Sequence, residues 1–193
     1  YTSEMKGFIG GYMKLSPDNT KLALAAIIYY YNSKIKESSY VALYDFDAST
    51  GIISNYTKLS QVQYTFYFYG VSFSPDNSKL YATVREGTVG YIYQYEVYPQ
   101  KPKTVASTGI PLYTNGGVGA LQIAPNGKIY YTHERTGTLG VINNPNAKGT
   151  ACNYTPYGLK ISGETMLGLP NFMDYIFNSK SIAYGPLSGC AAP

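Results

Sequence analysis

One phrase occurs three times along this chain: Gly11-Tyr-Met-Lys-Leu-Ser-Pro-Asp-Asn-Thr-Lys-Leu-Ala-Leu-Ala25, Gly70-Val-Ser-Phe-Ser-Pro-Asp-Asn-Ser-Lys-Leu-Tyr-Ala-Thr-Val84 and Gly119-Ala-Leu-Gln-Ile-Ala-Pro-Asn-Gly-Lys-Ile-Tyr-Tyr-Thr-His133. In each copy a turn sequence separates two short segments typical of strands. A phrase that returns along a chain is typical of repeat proteins, in which each copy builds the same structural unit. The repeating unit predicted here is an antiparallel hairpin.

The first copy shows why a hairpin is expected. Two sets of side chains alternate before its turn, Tyr12, Lys14 and Ser16 with Met13 and Leu15. A period of two places the two sets on opposite faces of a strand. In the turn that follows, proline presets φ of the first corner, and Asp and Asn tolerate the bridge and left-handed conformations needed next. The apolar residues after the turn suit a strand that is covered on both faces.

The segments between the copies supply further strands. Segments rich in Tyr, Val and Ile occur at 40–47, 89–97 and 139–143. The turn prolines of the three copies are 58 and then 50 residues apart, close to the roughly 40–50 residues of a β-propeller blade, which has four short strands. The sequence therefore predicts an all-β fold, namely a partial β-propeller of about three four-stranded antiparallel blades and a closing strand.

The repeat spacing also predicts the boundaries. The blades are expected at about 11–59, 69–108 and 119–161, and the closing segment at 166–177. The propeller region then spans 1–177. Residues 178–193 are expected to form a C-terminal tail or linker.

Composition supports an all-β chain and argues against some partners. The 193 residues include 23 Tyr, 20 Gly and 11 Pro, and 13% are charged, so residues that favour strands and turns are common. The 15 Lys and Arg are scattered, which argues against nucleic acid, because phosphate contacts need a basic stripe. No apolar run reaches the roughly 18 residues of a membrane span. The first residues lack a basic start and an apolar core, as expected of a mature or cut product rather than a signal peptide.

Longer phrases carry a resemblance to a known family. They are Leu43-Tyr-Asp-Phe-Asp-Ala-Ser-Thr-Gly-Ile-Ile-Ser-Asn55, Leu139-Gly-Val-Ile-Asn-Asn-Pro-Asn146, Gly149-Thr-Ala-Cys-Asn-Tyr154 and Gly168-Leu-Pro-Asn-Phe172, besides the repeated turns. In this order they resemble the propeller region of secreted Bacteroidota surface proteins, which often carry PKD-like repeats and a gliding-motility-associated C-terminal domain. The resemblance covers nearly the whole chain. It implies export by the type IX secretion pathway and a place outside the cell, secreted or at the cell surface.

The resemblance and the blade count together bear on partners and function. In proteins of that family the matching stretch is preceded by further blades, and three blades are fewer than the usual four to eight of a closed ring. We therefore expect other polypeptide, or a larger assembly, to supply the missing blades. The expected function is that of a structural or recognition module that mediates protein or glycan contacts in adhesion. The alternatives are a lectin-like carbohydrate binder and a propeller hydrolase or lyase.

The two cysteines fit an exported protein. An even cysteine count in such a protein favours a disulfide, here between Cys152 and Cys190. The alternatives are that both are buried as small apolar residues, or that Cys190 pairs beyond this chain. A metal site is disfavoured because no second ligand lies close to Cys152 in the sequence.

Motifs for catalysis are scarce. The single histidine, His133, ends a predicted strand, and with Glu134 or Asp47 it is a candidate acid/base pair. The sequence favours the alternative, a strand-terminal residue on a polar rim. The other charged candidates for a site are Arg85, Glu86 and Arg135. No Gly-x-Ser-x-Gly motif and no phosphate-binding glycine loop before a helix occurs, so enzymatic activity is the weaker hypothesis.

Two acidic residues on one strand form a weak calcium candidate. Asp45 and Asp47 point the same way and precede the turn Ala48–Gly51, whose carbonyl oxygens are suitable further ligands. Ordinary hairpin chemistry, in which Asp47 accepts bonds from turn amides, explains the same pattern and is favoured. No other cofactor is expected.

Tyrosine is in surplus. The segment Tyr64-Thr-Phe-Tyr-Phe-Tyr69 places aromatic rings on both faces of a strand, as expected where blades cover both faces. Tyrosine also has an apolar body with a polar tip, which suits a surface that binds sugars or a partner protein. The candidate ligand-binding residues are Tyr64, Tyr67, Tyr69, Tyr113 and His133.

Overall fold

The predicted all-β class is confirmed. A computed structural model describes residues 5–31, 38–63, 66–86, 89–99, 104–114 and 116–174. These residues form three antiparallel sheets, each four strand positions wide, in an open arrangement rather than a closed barrel. Helical structure is limited, in the described ranges, to the short 3-10 segments Ala106–Thr108 and Gly149–Cys152.

The strands follow one another in chain order within each sheet. The first sheet contains β1 (Met5–Gly10), β2 (Met13–Leu15), β3 (Lys21–Tyr31), β4 (Ser38–Asp47) and β5 (Ile52–Gln63). The second contains β6 (Phe66–Phe73), β7 (Lys79–Glu86), β8 (Val89–Glu96) and β9 (Ile110–Thr114). The third contains β10 (Val118–Ile123), β11 (Ile129–His133), β12 (Thr136–Ile142) and β13 (Tyr154–Thr165). Because β1 and β2 both pair with β3, they share one strand position.

The repeated turns form as the sequence predicts. Asp76 Oδ1 accepts hydrogen bonds from Ser74 Oγ (2.7 Å) and from the Ser78 amide (3.0 Å), and Ser74 Oγ accepts one from the Lys79 amide (2.9 Å). Asn77 then adopts a left-handed conformation, with φ of 64°. The first copy has the equivalent bonds: Ser16 Oγ donates to Asp18, and the Lys21 amide donates to Ser16 Oγ. The third copy has alanine in place of this serine, and its turn is closed by bonds from the Lys128 amide to Asn126 Oδ1 (3.1 Å) and from the Gly127 amide to the Ala124 carbonyl (2.9 Å).

The three sheets stack face to face in chain order. One buried cluster joins Ala23, Val41 and Leu43 of the first sheet to residues such as Phe68 and Phe73 of the second. A second cluster joins the opposite face of the second sheet to the third, through Tyr81 and Ile92 on one side and Leu121, Ile129, Tyr131 and Ile142 on the other. The second sheet is therefore covered on both faces, whereas the first and third sheets each pack on it through one face.

The strands that open the repeated phrases lie side by side. We call β2, β6 and β10 the leading strands; β6 contacts both β2 and β10. In β2 the polar set faces inward, since Lys14 is 3% exposed and Met13 is 56% exposed. The charged residue is thus buried at the place where the leading strands meet.

The predicted boundaries need two corrections. The sheets begin and end beyond the predicted blades, at 5–63, 66–114 and 118–165. The predicted closing strand at 166–177 is wrong for its described part, because residues 166–174 form no strand. Gly168 and Pro170 interrupt this segment, and proline cannot donate a ladder hydrogen bond. Residues 175–177 and the predicted tail at 178–193 lie outside the described residues.

No helix in the part of the chain that the structure describes is long and apolar enough to cross a membrane.

Candidate functional site

The most unusual side-chain cluster centres on Lys14. Its ammonium group donates hydrogen bonds to Gln122 Oε1 (2.5 Å), to the carbonyl oxygen of Phe172 (2.9 Å) and to Asp174 Oδ1 (3.4 Å). Gln122 Nε2 donates to the same Asp174 oxygen at 2.9 Å. The cluster therefore joins β2 of the first sheet, β10 of the third sheet and the segment that follows β13.

Burial shifts both charged groups of this cluster toward their neutral forms. The pKa of Lys14 is lowered by burial, against the opposing effect of the Asp174 charge. The pKa of Asp174 is raised by burial, against the effects of Lys14 and Gln122. A buried pair of this kind is costly to break, because either partner alone leaves an uncompensated buried group. Asp174 Oδ2 has no hydrogen-bond partner among the described residues.

Sequence reasoning missed this cluster, although a signal was present. Lys14, Ser72 and Gln122 each stand three residues before the proline of their repeat, and all three are polar and buried. A polar residue that recurs at one position of a repeat faces the same environment in every copy. The recurrence therefore marks the side of the leading strands where the sheets converge.

A small cleft opens beside the cluster. It has a volume of about 170 Å³ and is lined by Met13, Lys14, Leu15, Leu22 and residues 171–173. Phe172 and Met173 are 50% and 57% exposed. The cleft is thus largely apolar and has the buried amine of Lys14 in its wall.

His133, the predicted acid/base candidate, is enclosed rather than presented to a rim. It is 1% exposed and lies between the rings of Tyr131 (5.2 Å between centroids) and Tyr157 (4.9 Å). Burial lowers its pKa, against a smaller effect of the Pro156 carbonyl. Neither ring nitrogen has a well-formed hydrogen bond within the described part of the chain, so the buried ring is favoured in its neutral form.

Two ion pairs, one of them next to His133, join the second and third sheets. Arg85 binds Glu134 at 2.6 Å across the second and third sheets, and Lys148 binds Glu96 at 2.6 Å across the same two sheets. The side chain of Glu86 lies outside the described residues, and Arg135 follows His133 in a left-handed turn with φ of 56°. These charges hold neighbouring sheets in register.

Of the four predicted tyrosines, the structure describes the side chains of Tyr67 and Tyr69. Tyr64 lies outside the described residues, and for Tyr113 the structure describes only the backbone, which pairs with Tyr91. Tyr67 and Tyr69 are half-buried on β6. Tyr69 packs on Tyr12 at 5.3 Å between ring centroids, and burial raises the pKa of its hydroxyl.

A more exposed aromatic pair lies on the first sheet. Tyr56 is 57% exposed and packs on Tyr44 at 5.4 Å between ring centroids. Asn55 Nδ2 donates to Asp45 Oδ2 at 2.6 Å, but Asp45 follows Tyr44 directly on β4 and therefore faces the other side of the sheet. The exposed ring of Tyr56 and this amide–carboxylate pair thus lie on opposite faces of the first sheet.

The weak calcium candidate is explained by hairpin contacts. Both carboxylate oxygens of Asp45 accept hydrogen bonds, Oδ1 from the Lys21 ammonium group and Oδ2 from the Asn55 amide. Asp47 Oδ1 accepts from the Ser49 amide (2.8 Å) and from Ser49 Oγ (2.6 Å), and these bonds lower its pKa to about 2. Among the described residues no group of three or more His, Cys, Asp or Glu side chains is placed to hold a metal ion.

Cys152 is a buried free thiol in this structure. It packs in the cluster between the second and third sheets, and burial raises its pKa. Its predicted partner, Cys190, lies outside the described residues, so the disulfide stays a prediction.

Comparisons with known proteins leave the family open. No protein-family model and no curated protein matches the chain significantly. Among solved structures, a protein of unknown function from Desulfotomaculum acetoxidans is 14% identical with a TM-score of 0.39, over 86% of this chain and 58% of its own. A Bacteroides ovatus protein assigned as a dipeptidyl aminopeptidase IV is 20% identical, with a TM-score of 0.37. The match covers 71% of this chain and 23% of that protein.

A third similar structure is a Bacteroides uniformis protein assigned as a 6-phosphogluconolactonase, 13% identical with a TM-score of 0.38, over 68% of this chain and 52% of its own. The chain thus spans less than two thirds of the length of each of these three structures. At these identities and TM-scores the comparisons assign neither a family nor an activity.

Proposed function

We propose that the chain is part of a β-propeller and that it serves as a structural or recognition module of an exported cell-surface protein. The observation that carries this proposal is the stacking of three four-stranded sheets in chain order, with the leading strands adjacent. The polar residues at the shared repeat position converge there, where Lys14 binds Gln122 across two sheets. Blades of a propeller stack in this way around a common axis.

The titratable side chains favour a module over a hydrolase or lyase. Arg85, Glu134 and Glu96 bind partners on a neighbouring sheet, and His133 is enclosed by aromatic rings. A general acid or base has to reach the reacting atom of a substrate. Enzymatic activity would therefore require a rearrangement around His133.

Two sheet faces point away from the second sheet and are partly covered, since Leu22, Ala42, Thr132 and Val141 on them are buried. The outer face of the first sheet, opposite the second sheet, carries Met13, Leu15, Leu22, Leu24, Ala42 and Tyr44. The outer face of the third sheet carries Tyr130, Thr132, Leu139, Val141 and Leu159. Apolar sheet faces are stable when another layer covers them. We infer that further blades cover these outer faces in the complete protein.

The proposed location rests on the resemblance to secreted Bacteroidota surface proteins. Its test is protease treatment of intact cells that produce the protein. Cleavage of the protein, with a cytoplasmic marker left intact, supports a place at the cell surface. Protection of the protein in intact cells, with cleavage after lysis, would contradict it.

Glycan binding is the second candidate, and one exposed aromatic ring favours it. Tyr56 is 57% exposed and packs on Tyr44 at 5.4 Å between ring centroids. A sugar that stacks on the open face of this ring would use Tyr56 as its main contact. Tyr56 is not among the predicted residues Tyr64, Tyr67, Tyr69 and Tyr113.

The experiment that separates the candidates is binding of the purified chain to immobilised bacterial and host glycans. A lectin would bind a defined sugar, and Tyr56→Ala would weaken that binding about two- to tenfold, as expected for a stacking contact of roughly 0.5–1.5 kcal/mol. Tyr157→Ala is the matched control, because Tyr157 is 55% exposed and lies on the third sheet. Absence of glycan binding supports the structural module. Turnover of hydrolase substrates by the chain would contradict the module.

A further inference from the structure

His133 is covered by the outermost strand of the third sheet. Its ring lies on the same face of β11 as Tyr131, which packs against the second sheet. Tyr157, on β13, packs on this ring at 4.9 Å between centroids. β13 also binds the backbone of the same residue, because Thr165 Oγ1 donates to the His133 carbonyl oxygen. Two contacts from β13 therefore meet at His133.

A bulge in β13 directs Tyr157 onto this ring. The pairing of β12 with β13 shifts register between Leu139 and Val141, so that three residues of β13, 156–158, lie opposite Gly140 alone. Extra residues of this kind bend a strand and change the direction in which a side chain points. Gly140 has no side chain that would occupy the space beside the bulge. The bulge thus brings the Tyr157 ring inward.

The backbone of the bulge is held less firmly than a regular strand. Its extra residues lack partners in the ladder, and Pro156 has no amide hydrogen. Residues 157–160 are exposed, and β13 is an edge strand of the sheet formed by the described residues. Exposed edge segments open at a lower free energy than the interior of a sheet. The contact between Tyr157 and His133 is therefore a main attachment of this part of β13.

The site of the ring suits an uncharged imidazole. His133 is 1% exposed, and among the described residues neither of its nitrogens has a well-formed hydrogen bond. The loop before β10 approaches the ring closely, since a Cβ at Gly116 would lie 3.6 Å from Nδ1. A buried charge without a partner is costly. A proton on this ring is therefore unfavourable while β13 covers it.

The groups around the ring compensate a positive charge only weakly. The ring faces two neutral phenols, Tyr131 on β11 and Tyr157 on β13. The adjacent carboxylate, Glu134, is already paired with Arg85 of β7. The neighbouring strands β10 and β12 contain no titratable residue. The Pro156 carbonyl favours the charged form, but burial outweighs it.

We propose that His133 is an acid-sensitive latch of the third sheet: its uncharged ring holds the bulge of β13 closed, and protonation of the ring releases Tyr157 and the bulge from the sheet. The inference uses the third sheet and its contact with the second, and it does not depend on the proposed function. Release allows the charged ring to reach water while the rest of the sheet stays folded. It also frees hydrogen-bonding groups along the edge of β12, which another strand can use.

Proton linkage gives the direction of the pH dependence. Burial lowers the pKa of His133 in the closed form from its ordinary value of 6.5. The closed form is therefore fully favoured above about pH 6.5, and the opening equilibrium rises by up to about tenfold per pH unit as the pH falls below this value. Asp174 has the opposite sign, because its raised pKa favours the folded state at low pH. The two buried groups can thus be told apart.

Hydrogen exchange at about pH 7 and about pH 5.5 tests the latch on the complete chain. The protection of residues 157–160, relative to a peptide at the same pH, should fall at least about threefold at the lower pH, while β7 and β8 stay protected. His133→Phe keeps an aromatic ring that cannot take up a proton, and it should abolish this fall. Equal protection of the wild type at both pH values would overturn the proposal, as would an equal fall in His133→Phe.

Titration of the histidine itself gives a second measurement. His133 is the single histidine of the 193 residues, so its ring protons give one titration curve by NMR. The midpoint should lie below 6.5 in the wild type, and Tyr157→Ala, which removes the cover, should move it toward 6.5. Tyr56→Ala removes an equally exposed ring from the first sheet and should leave the midpoint unchanged. A wild-type midpoint at or above 6.5, or no change in Tyr157→Ala, would contradict the latch.

Discussion

Replacing Lys14 by methionine tests whether the buried polar cluster holds the sheets together. Methionine keeps the apolar length of the lysine stem but lacks the ammonium group that binds Gln122, Phe172 and Asp174. The side chains of Lys14 and Asp174 are 2% and 0% exposed. Water therefore does not replace the bonds that the variant loses.

The expected loss in free energy of unfolding is about 3–5 kcal/mol at pH 7, the range for removing one partner of a buried ion pair. Without Lys14 the pKa of Asp174, already raised by burial, rises further above its unfolded value. A raised folded pKa favours the folded state at low pH, and this contribution is lost as the pH rises through the folded pKa. The variant should therefore recover part of its stability near pH 4, and Lys14→Met with Asp174→Asn should lose less than Lys14→Met alone at pH 7.

Urea unfolding followed by far-ultraviolet circular dichroism measures these changes. Lys21→Met is the matched control, because it makes the same chemical change in the Lys21–Asp45 pair, whose side chains are 20% and 39% exposed. A surface pair of this kind contributes about 1 kcal/mol or less. If Lys14→Met costs no more than Lys21→Met, the cluster does not join the sheets and the reasoning is refuted.

Turn, disulfide and acid-pH measurements test other parts of the fold. Replacing Pro75 and Asp76 together by alanine should lower the free energy of unfolding by about 1–2 kcal/mol through lost turn preorganisation, without affecting binding. An unchanged melting temperature together with loss of ligand binding would instead show that the turn is a binding site. Cys152 and Cys190 should form a disulfide that contributes about 3–4 kcal/mol by loop closure, and non-reducing peptide mapping that finds both thiols free would contradict this. The hydrogen bonds that lower the pKa of Asp47 to about 2 stabilise the fold above the unfolded pKa near 3.8, and this contribution is lost as the pH falls toward 2; a carboxyl titration midpoint near 4 by NMR would contradict it.

The hairpins were predictable because their signals are local. Proline, aspartate and asparagine specify each turn within a few residues, and the bonds of Ser74 and Asp76 form between neighbours in the chain. The outermost strands were harder to delimit. β13 contains Pro156, Gly158 and Gly163, which usually end strands, so the predicted third blade stopped at 161.

The buried cluster could not be predicted in the same way. Lys14 looks like a solvent-facing residue in an alternating strand, and lysine is rarely fully buried. Its burial depends on Gln122 and Asp174, which are more than 100 residues away in the sequence. His133 was predicted at a polar rim for the same reason, since Tyr131 is close in sequence but Tyr157 reaches the ring from another strand. Only the recurrence of a polar residue at one repeat position pointed to the cluster.

Light scattering on the purified chain tests the proposal that these residues form an incomplete propeller whose outer faces need further cover. A chain of 21.2 kDa that leaves several hundred Å² of apolar sheet surface uncovered should associate as its concentration rises, and a longer polypeptide that restores the missing blades should be monomeric. The expected mass lies above that of one chain and increases with concentration. A constant mass of one chain, with a single cooperative melting transition, would contradict it.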